Sequence, residues 1–172
     1  SGTIIAVHST VDPGTVDRLA EAAAARDVEL IDAPVSGSER GAKTKTMSFM
    51  VGGSARAFDT CQPVFEVSGP KITHCGPLGS GIRAKLAHQL IICVNIMAAH
   101  EGMRLGRAAG LSAEMLESVV GDGMAQSAIA ERWSSLKMAP HSNPVFYKDL
   151  RLCLKYAHEL GISAPGAALA QQ

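Results

Sequence analysis

The sequence predicts an α/β layer that is followed by an all-helical half. Strand and helix patterns alternate as far as His74, which is typical of a sheet with helices packed on it. No strand pattern appears beyond that point, and helical periodicity takes over. A glycine-rich turn, residues 76–81, joins the two halves and leads into a long apolar helix. We therefore predict two domains, residues 1–76 and residues 77–172.

The first half begins with an apolar run over residues 3–7 that is typical of a buried parallel strand. A helix is predicted over residues 13–26, with Asp12 placed to cap its start. A second strand, residues 28–32, is followed by a Pro/Ser/Gly loop over residues 33–41, at the end of the sheet where open α/β folds bind ligands. The remaining predictions are a strand over residues 46–51, a helix that Ser54 caps and that ends near residue 65, and a strand over residues 71–74.

Helices are predicted in the second half over residues 80–109, 112–121, 126–136 and 147–160. Lys85 and Gln89 lie four residues apart on the first of these helices, so both side chains leave the same face. A lysine on an apolar surface is readily shifted in pKa, which suits a proton donor or acceptor. On spacing alone, a lysine that extends to solvent near the helix start is the favoured interpretation.

Composition restricts the classes of partner. The chain has 16 basic and 16 acidic residues without a basic run, so nucleic acid is not an expected partner. The four cysteines are widely spaced and lack a histidine at metal-ligand spacing, so we expect buried thiols, a reducing compartment and no metal site. Polar residues interrupt the apolar segment over residues 91–99, and no secretory signal is visible, so we expect a cytoplasmic protein without a membrane span.

Four segments together resemble the β-hydroxyacid dehydrogenase family, which includes 3-hydroxyisobutyrate dehydrogenase, tartronate semialdehyde reductase and 6-phosphogluconate dehydrogenase. The glycine-rich turn and its lysine resemble the family's catalytic helix. The other segments are the Ser-Thr loop of residues 9–13, the Asp-Ala-Pro-Val-Ser-Gly signature of residues 32–37 with its continuation to Gly53, and the Lys-Asp-Leu motif of residues 148–150.

The resemblance implies a fold and a cofactor. Residues 1–76 would be the C-terminal part of a Rossmann-type domain that binds NAD or NADP, and residues 77–172 a helical domain for substrate binding and dimerisation. The dinucleotide-binding G-x-G-x-x-G turn of such domains has no copy in this sequence. The strand over residues 3–7 also needs partners on both sides, so we expect that a segment preceding it is missing from the sequence. The choice between NAD and NADP stays open.

The resemblance also implies roles for particular residues. Lys85 would be the general acid/base, and Gln89 would bind the hydroxyl or carboxylate of the substrate. Ser36, Gly37 and Ser38 would bind the substrate carboxylate, although an ordinary Ser-Gly turn is the simpler interpretation of the loop. Thr10 and Lys148 would contact the cofactor; their alternatives are an N-cap threonine and a solvated surface lysine.

Several positions bear on the branch of the family. Ile92 stands where the decarboxylating phosphogluconate enzymes carry a glutamate, and imine reductases usually replace the lysine that is retained here as Lys85. The family usually has glycine at the positions of Ser38 and Lys45, and Lys45 could either close the pocket or add a positive contact. His88 is a packed histidine or a substrate contact.

The expected function is therefore NAD(P)-dependent hydride transfer on a small 3-hydroxy acid, such as 3-hydroxyisobutyrate or tartronate semialdehyde, by a homodimer or higher homo-oligomer. One alternative is a non-catalytic dehydrogenase-like module for oligomerisation and binding. Retention of Lys85, Ser36 and Gly37 speaks against that module, and the absent dinucleotide turn speaks for it. The other alternative is reduction of a C=N bond on the same scaffold.

Overall fold

The structure, a computed structural model, describes residues 2–135 and 144–172. The chain forms two compact units, Ser1–Ala87 and His88–Gln172. The last residue of the helix predicted over residues 126–136 lies outside the described residues.

The first unit contains a five-stranded sheet. β1 pairs with β2 and β4 with β5 in parallel, whereas β2 and β3 both run antiparallel to β4. The parallel sheet expected from sequence is therefore mixed. The reason is the short connection after β2: the chain reverses through one small helix and returns beside the strand it has just left. The strands are β1 (Ile4–Val7), β2 (Glu29–Asp32), β3 (Val35–Ser36), β4 (Ser48–Gly52) and β5 (Lys71–Gly76).

Three helices of this unit follow strands: α1 (Pro13–Ala24), α2 (Ser38–Thr44) and α3 (Ala55–Glu66). The side chains of Asp12 and Ser54 cap α1 and α3 as predicted, accepting hydrogen bonds from the N–H groups of Gly14 and Ala57. The predicted loop over residues 33–41 was wrong in part, because it contains β3 and the first turn of α2. The start of α2 has no side-chain cap, and seven residues are too few to show helical periodicity.

Two apolar clusters form the core of the first unit. One lies under β2 and β4 and includes the stacked rings of Phe49 and Phe65. The other cluster packs α1 against β2 and includes Ile82 from the long helix that follows β5. In contrast, Ile5 on β1 is 48% exposed, so the strand predicted to be buried on both faces is only half-buried. Within the described residues, β1 has β2 as its one strand partner.

A long helix, α4 (Ser80–Ala108), begins in the first unit and continues into the second. Gly110 follows it with φ of 90°, the left-handed conformation that ends many helices. Ser112 caps α5 (Ala113–Gly121), its side chain accepting a hydrogen bond from the N–H of Met115. The second unit also contains a 3-10 segment (Ala130–Ser135), α6 (Pro144–Glu159) and α7 (Pro165–Ala170).

Three boundaries in the second unit differ from the predictions. The helix predicted from residue 126 is a 3-10 segment that starts at Ala130 and is kinked at Arg132. α6 begins at Pro144, three residues early, because proline at the first helical position needs no N–H partner. α7 was not predicted, since its six residues are too few for a periodic signal.

α4 is long and apolar enough to cross a membrane by length and composition. The core helices of soluble proteins satisfy the same test, and α4 carries buried polar side chains at Lys85 and Gln89. The helix is therefore weak evidence for a membrane span.

Candidate active site

Asp32, the last residue of β2, binds the glycine-rich turn that starts α4. Its Oδ1 accepts a hydrogen bond of 2.7 Å from the N–H of Gly79, and its Oδ2 accepts one of 2.6 Å from the N–H of Ile82. The side chain is fully buried. Burial raises the pKa of this carboxyl above its ordinary value, and the two N–H donors oppose that rise. One carboxylate thus satisfies two of the N–H groups that the start of a helix leaves without partners.

The contact between the glycine-rich turn and the sheet depends on glycines, which have no side chain. A Cβ on Gly81 would lie 2.3 Å from the backbone oxygen of Met50, and a Cβ on Gly52 would lie 2.4 Å from Oδ1 of Asp32. Both distances are far shorter than any real contact of a Cβ atom. Glycine at these positions therefore allows the start of α4 to lie directly on the end of the sheet.

Lys85 follows this anchored turn by one turn of helix and is buried, with 5% of its surface exposed. The alternative interpretation required a lysine that extends to solvent, and a side chain this buried does not. A buried ammonium group needs charged or polar partners, which is typical of functional lysines. Its catalytic role stays a prediction.

The predicted substrate loop lies directly after Asp32. Ser36 is half-buried, whereas Gly37 and Ser38 are exposed. Gly37 has φ of 130°, and a Cβ there would lie 3.3 Å from the Cα of Gly41, so a side chain would be strained.

Ser38 and Lys45, at the two ends of α2, have φ of 52° and 54°. These are the positions at which the resembled family usually has glycine. A left-handed backbone explains that preference, because it strains any residue with a Cβ. Lys45 is exposed and ends α2, a structural role that the sequence did not indicate.

The loop after β1 carries Thr10, which is half-buried. Nearby His8 has its Nδ1 2.8 Å from the backbone oxygen of Ala33, and its ring packs edge-on against Phe49 and Phe65. This contact joins the ends of β1 and β2. No sequence pattern indicated this contact, because His8 stands alone after an apolar strand.

In the second unit, Gln89 is buried and donates a hydrogen bond of 2.6 Å from Nε2 to Oδ2 of Asp149. Its Oε1 lies 3.2 Å from Nδ1 of His88. Lys148 Nζ lies 2.8 Å from Oδ1 of Asp149, and the two side chains form an ion pair. Among the described residues, Oδ1 accepts no hydrogen bond with acceptable geometry. Asp149 lies inside α6, and its side chain binds Gln89 of α4.

The predicted residues thus form two groups. The first unit contains Thr10, Ser36, Gly37, Ser38 and Lys85, and there Asp32 joins the predicted substrate loop to the helix that carries the lysine. Gln89 and Lys148 belong to the second unit, where Asp149 binds both. Sequence reasoning missed Asp32 and Asp149 as central residues. The sequence offered one signal for them: each is the acidic residue of its motif and has an apolar neighbour, which is unusual for a solvated carboxylate.

Each predicted cofactor contact has suitable chemistry, considered unit by unit. The hydroxyl of Thr10 in the first unit can hydrogen-bond a ribose, and the ammonium of Lys148 in the second unit can pair with a phosphate. The N-terminus of α1, the helix that follows β1, is occupied by the carboxylate of Asp12, which would repel a pyrophosphate. Among the described residues, no three His, Cys, Asp or Glu side chains are placed to hold a metal ion.

Two family models cover the chain. Residues 1–76 match the NAD-binding domain of 6-phosphogluconate dehydrogenase, and residues 79–172 match the NAD-binding domain of NADP-dependent 3-hydroxyisobutyrate dehydrogenase. The chain belongs to the 3-hydroxyisobutyrate dehydrogenase family. This confirms the resemblance inferred from the motifs and the fold class, α/β followed by all-α. Both matched families bind nicotinamide dinucleotides, so NAD or NADP is the cofactor class, as predicted.

Family members of known activity are similar along nearly all of the chain. The 2-hydroxy-3-oxopropionate reductase of Escherichia coli is 34% identical over 99% of the chain, and the 3-hydroxyisobutyrate dehydrogenase of Pseudomonas aeruginosa is 35% identical over 95%. The solved structure of 3-hydroxyisobutyrate dehydrogenase from Mycobacterium tuberculosis with L-serine is 27% identical, covers 98% of the chain and superposes with a TM-score of 0.82. The chain spans 60%, 59% and 62% of the lengths of these three relatives.

Proposed function

We propose that this chain is the substrate-binding and catalytic portion of an NAD(P)-dependent 3-hydroxyacid dehydrogenase. The observation that carries the proposal is the burial of Lys85, one turn after a helix start that is fixed to the substrate loop by Asp32. The names of the relatives favour 3-hydroxyisobutyrate or tartronate semialdehyde, which is 2-hydroxy-3-oxopropionate, as the substrate class.

Lys85 is the proposed general acid/base. Bound nicotinamide supplies the acceptor or donor of the hydride. In the oxidising direction, the Lys85 amine takes the proton of the substrate hydroxyl as the hydride leaves the adjacent carbon. In the reducing direction, the ammonium gives that proton back and stabilises the negative charge that develops on the oxygen.

Ser36, Gly37 and Ser38 are the proposed carboxylate-binding residues. Gly37 and Ser38 both have positive φ, and backbone N–H groups in turns of this kind suit an anion. Gln89 has its Nε2 engaged with Asp149 and its Oε1 beside Nδ1 of His88. An amide oxygen has two lone pairs, so we propose that Oε1 also accepts a hydrogen bond from the substrate hydroxyl.

Thr10 and Lys148 are the proposed contacts to the nicotinamide end of the cofactor. The pyrophosphate and the NAD/NADP choice would depend on residues outside this chain, since the start of α1 is already occupied by Asp12. The exposed face of β1 at Ile5 and the greater length of the relatives support a larger active protein. The proposed domain division remains residues 1–76 and 77–172.

Simple alcohol/aldehyde redox fits better than the other reactions of related folds. Ile92 replaces the glutamate that decarboxylation needs, and an apolar side chain cannot protonate an enediol. Retention of Lys85 speaks against reduction of a C=N bond. The non-catalytic module keeps one observation in its favour, the lack of a pyrophosphate site at α1.

We also propose a cytoplasmic homodimer that forms through the helical half. Large apolar side chains of α4 and α5 are more than half exposed in the single chain, among them Ile91, Leu105, Met115 and Val119. Exposed apolar surface on neighbouring helices is typical of a subunit interface. The prediction that neither nucleic acid nor membrane is a partner is kept.

The deciding experiment is the intact mass of the natural protein, followed by assays with NAD, NADP and a panel of small hydroxy acids. The proposal is supported if the mass exceeds the 17.9 kDa of this chain by the mass of about 100 residues or more, and if the protein turns over a 3-hydroxy acid. A larger protein that binds nicotinamide but oxidises no hydroxy acid contradicts it. A mass equal to that of the chain favours the non-catalytic module.

A further inference from the structure

Asp32 joins three parts of the first unit at one carboxylate. Its backbone is the end of β2 and pairs in register with Gly52 of β4. Its side chain holds the N–H groups of Gly79 and Ile82 at the start of α4. The two residues after it, Ala33 and Pro34, lead directly into the proposed carboxylate-binding loop and are themselves buried.

The surroundings of Asp32 are closely packed. It is completely buried, a Cβ on Gly52 would lie 2.4 Å from its Oδ1, and a Cβ on Gly81 would lie 2.8 Å from its backbone oxygen. A carboxylate accepts hydrogen bonds at both oxygens, whereas an amide of the same shape accepts at one and donates at the other. The two N–H groups that point at Asp32 therefore require a carboxylate and not its amide.

We infer that Asp32 is the positioning residue of the site: it sets where α4, and with it Lys85, begins relative to the loop that holds the substrate. This inference rests on the proposed function. Asp32 touches neither substrate nor cofactor in this scheme. It acts through the backbone, because Lys85 is one helical turn from Ile82 and a shift of the helix start moves the lysine with it.

The test compares Asp32→Asn with wild type in the full-length protein. The asparagine fits the cavity but directs an NH2 group at one of the two backbone donors, so the helix start has to shift. We expect kcat for the hydroxy acid to fall about 100-fold, as for a misplacement of about 1 Å, with KM for the nicotinamide within about twofold. We also expect amide hydrogen exchange to accelerate about tenfold over residues 79–85 and not elsewhere.

The matched control is Ser54→Ala, which removes the acceptor for the N–H of Ala57 at the start of α3 in the same unit. It should lower thermal stability without changing kcat. If Asp32→Asn does not fold, the α-hydroxy acid analogue of Ile82 replaces that residue, which removes one N–H donor and keeps the side chain. The same changes in kcat and exchange are then expected.

An unchanged kcat in folded Asp32→Asn overturns the inference, and so does unchanged exchange over residues 79–85. A fall in kcat that Ser54→Ala reproduces also overturns it, since general destabilisation would then be the cause. If the wild type itself oxidises no hydroxy acid, the proposed function fails. The inference about Asp32 is then tested by the hydrogen-exchange rates alone. Acceleration confined to residues 79–85 then supports it, and uniform acceleration overturns it.

Discussion

Gln89 of α4 and Asp149 of α6 form a hydrogen bond of 2.6 Å between two side chains that are 4% and 2% exposed. The bond is charge-assisted and buried, so it belongs to the stronger class of side-chain hydrogen bonds. It joins two proposed site motifs that are 60 residues apart in the sequence. The same carboxylate also lies beside Lys148, so one acidic residue orients both proposed site residues of the second unit.

Replacing Asp149 by asparagine should lower the free energy of unfolding by about 1.5–3 kcal/mol, because a buried hydrogen bond to a charged group is lost. Urea unfolding of the two proteins measures the difference. Glu159→Gln is the matched control, since its ion pair with Lys155 on the same helix is about half exposed. That change should stay within about 0.5 kcal/mol. Equal effects of the two substitutions would contradict the assigned role of Asp149.

Replacing Lys85 by alanine in the full-length protein should lower kcat by about 10²–10⁴-fold, the usual contribution of a general acid/base. Nicotinamide binding, measured by fluorescence titration, should remain. Arg104→Ala removes an exposed cation from the same helix and should leave turnover unchanged. Unchanged turnover in Lys85→Ala would rule out its catalytic role.

Replacing Lys45 by glycine should raise the free energy of unfolding by about 0.5–1 kcal/mol, because glycine relieves the left-handed backbone at φ of 54°. The midpoint of urea unfolding is the measurement. Lys43→Gly, two residues earlier within α2, should have the opposite sign, since glycine inside a helix is destabilising by about 1 kcal/mol. Destabilisation by both would show that Lys45 contributes through its side chain.

The four thiols should differ in alkylation rate. Burial, with the nearby charge of Asp149, raises the pKa of Cys93 to about 11, and burial likewise raises that of Cys153 to about 11. At pH 8 only about one thousandth of either is thiolate, so iodoacetamide should modify the half-buried Cys61 and Cys75 first. Mass spectrometry of digested samples gives the order. Labelling of Cys93 or Cys153 at the rate of Cys61 in the folded protein would contradict these surroundings. The expectation of four buried thiols was wrong for Cys61 and Cys75.

The protein should sediment as a dimer or larger oligomer at micromolar concentration. Leu105→Arg and Val119→Arg place charges on helical side chains that are 74% and 64% exposed, and we expect each to favour the monomer. Val67→Arg changes a similarly exposed residue of the first unit, at 67%, and should leave the oligomer intact. A wild-type monomer would refute the proposed interface.

The sequence was sufficient for the family, the fold class and most long elements. Caps at Asp12, Ser54 and Ser112 and continuous periodicity place α1, α3 and α5 to within about two residues. The failures were short elements: β3, α2, α7 and the 3-10 segment. Such segments contain too few residues for a period to emerge, so tertiary contacts decide their conformation.

Local chemistry is what the sequence determined by itself. Glycine spacing, helix caps and the four motifs each depend on residues that are close together in the sequence. These signals predicted Lys85, Gln89 and the loop of residues 36–38 as one candidate site. Only the tertiary structure showed what holds those residues. The carboxylates of Asp32 and Asp149 reach partners 47–60 residues away along the chain, and a pairing between distant residues leaves no periodic signal. Burial then makes each pairing specific, because a charged group removed from water must meet donors that only the folded chain provides.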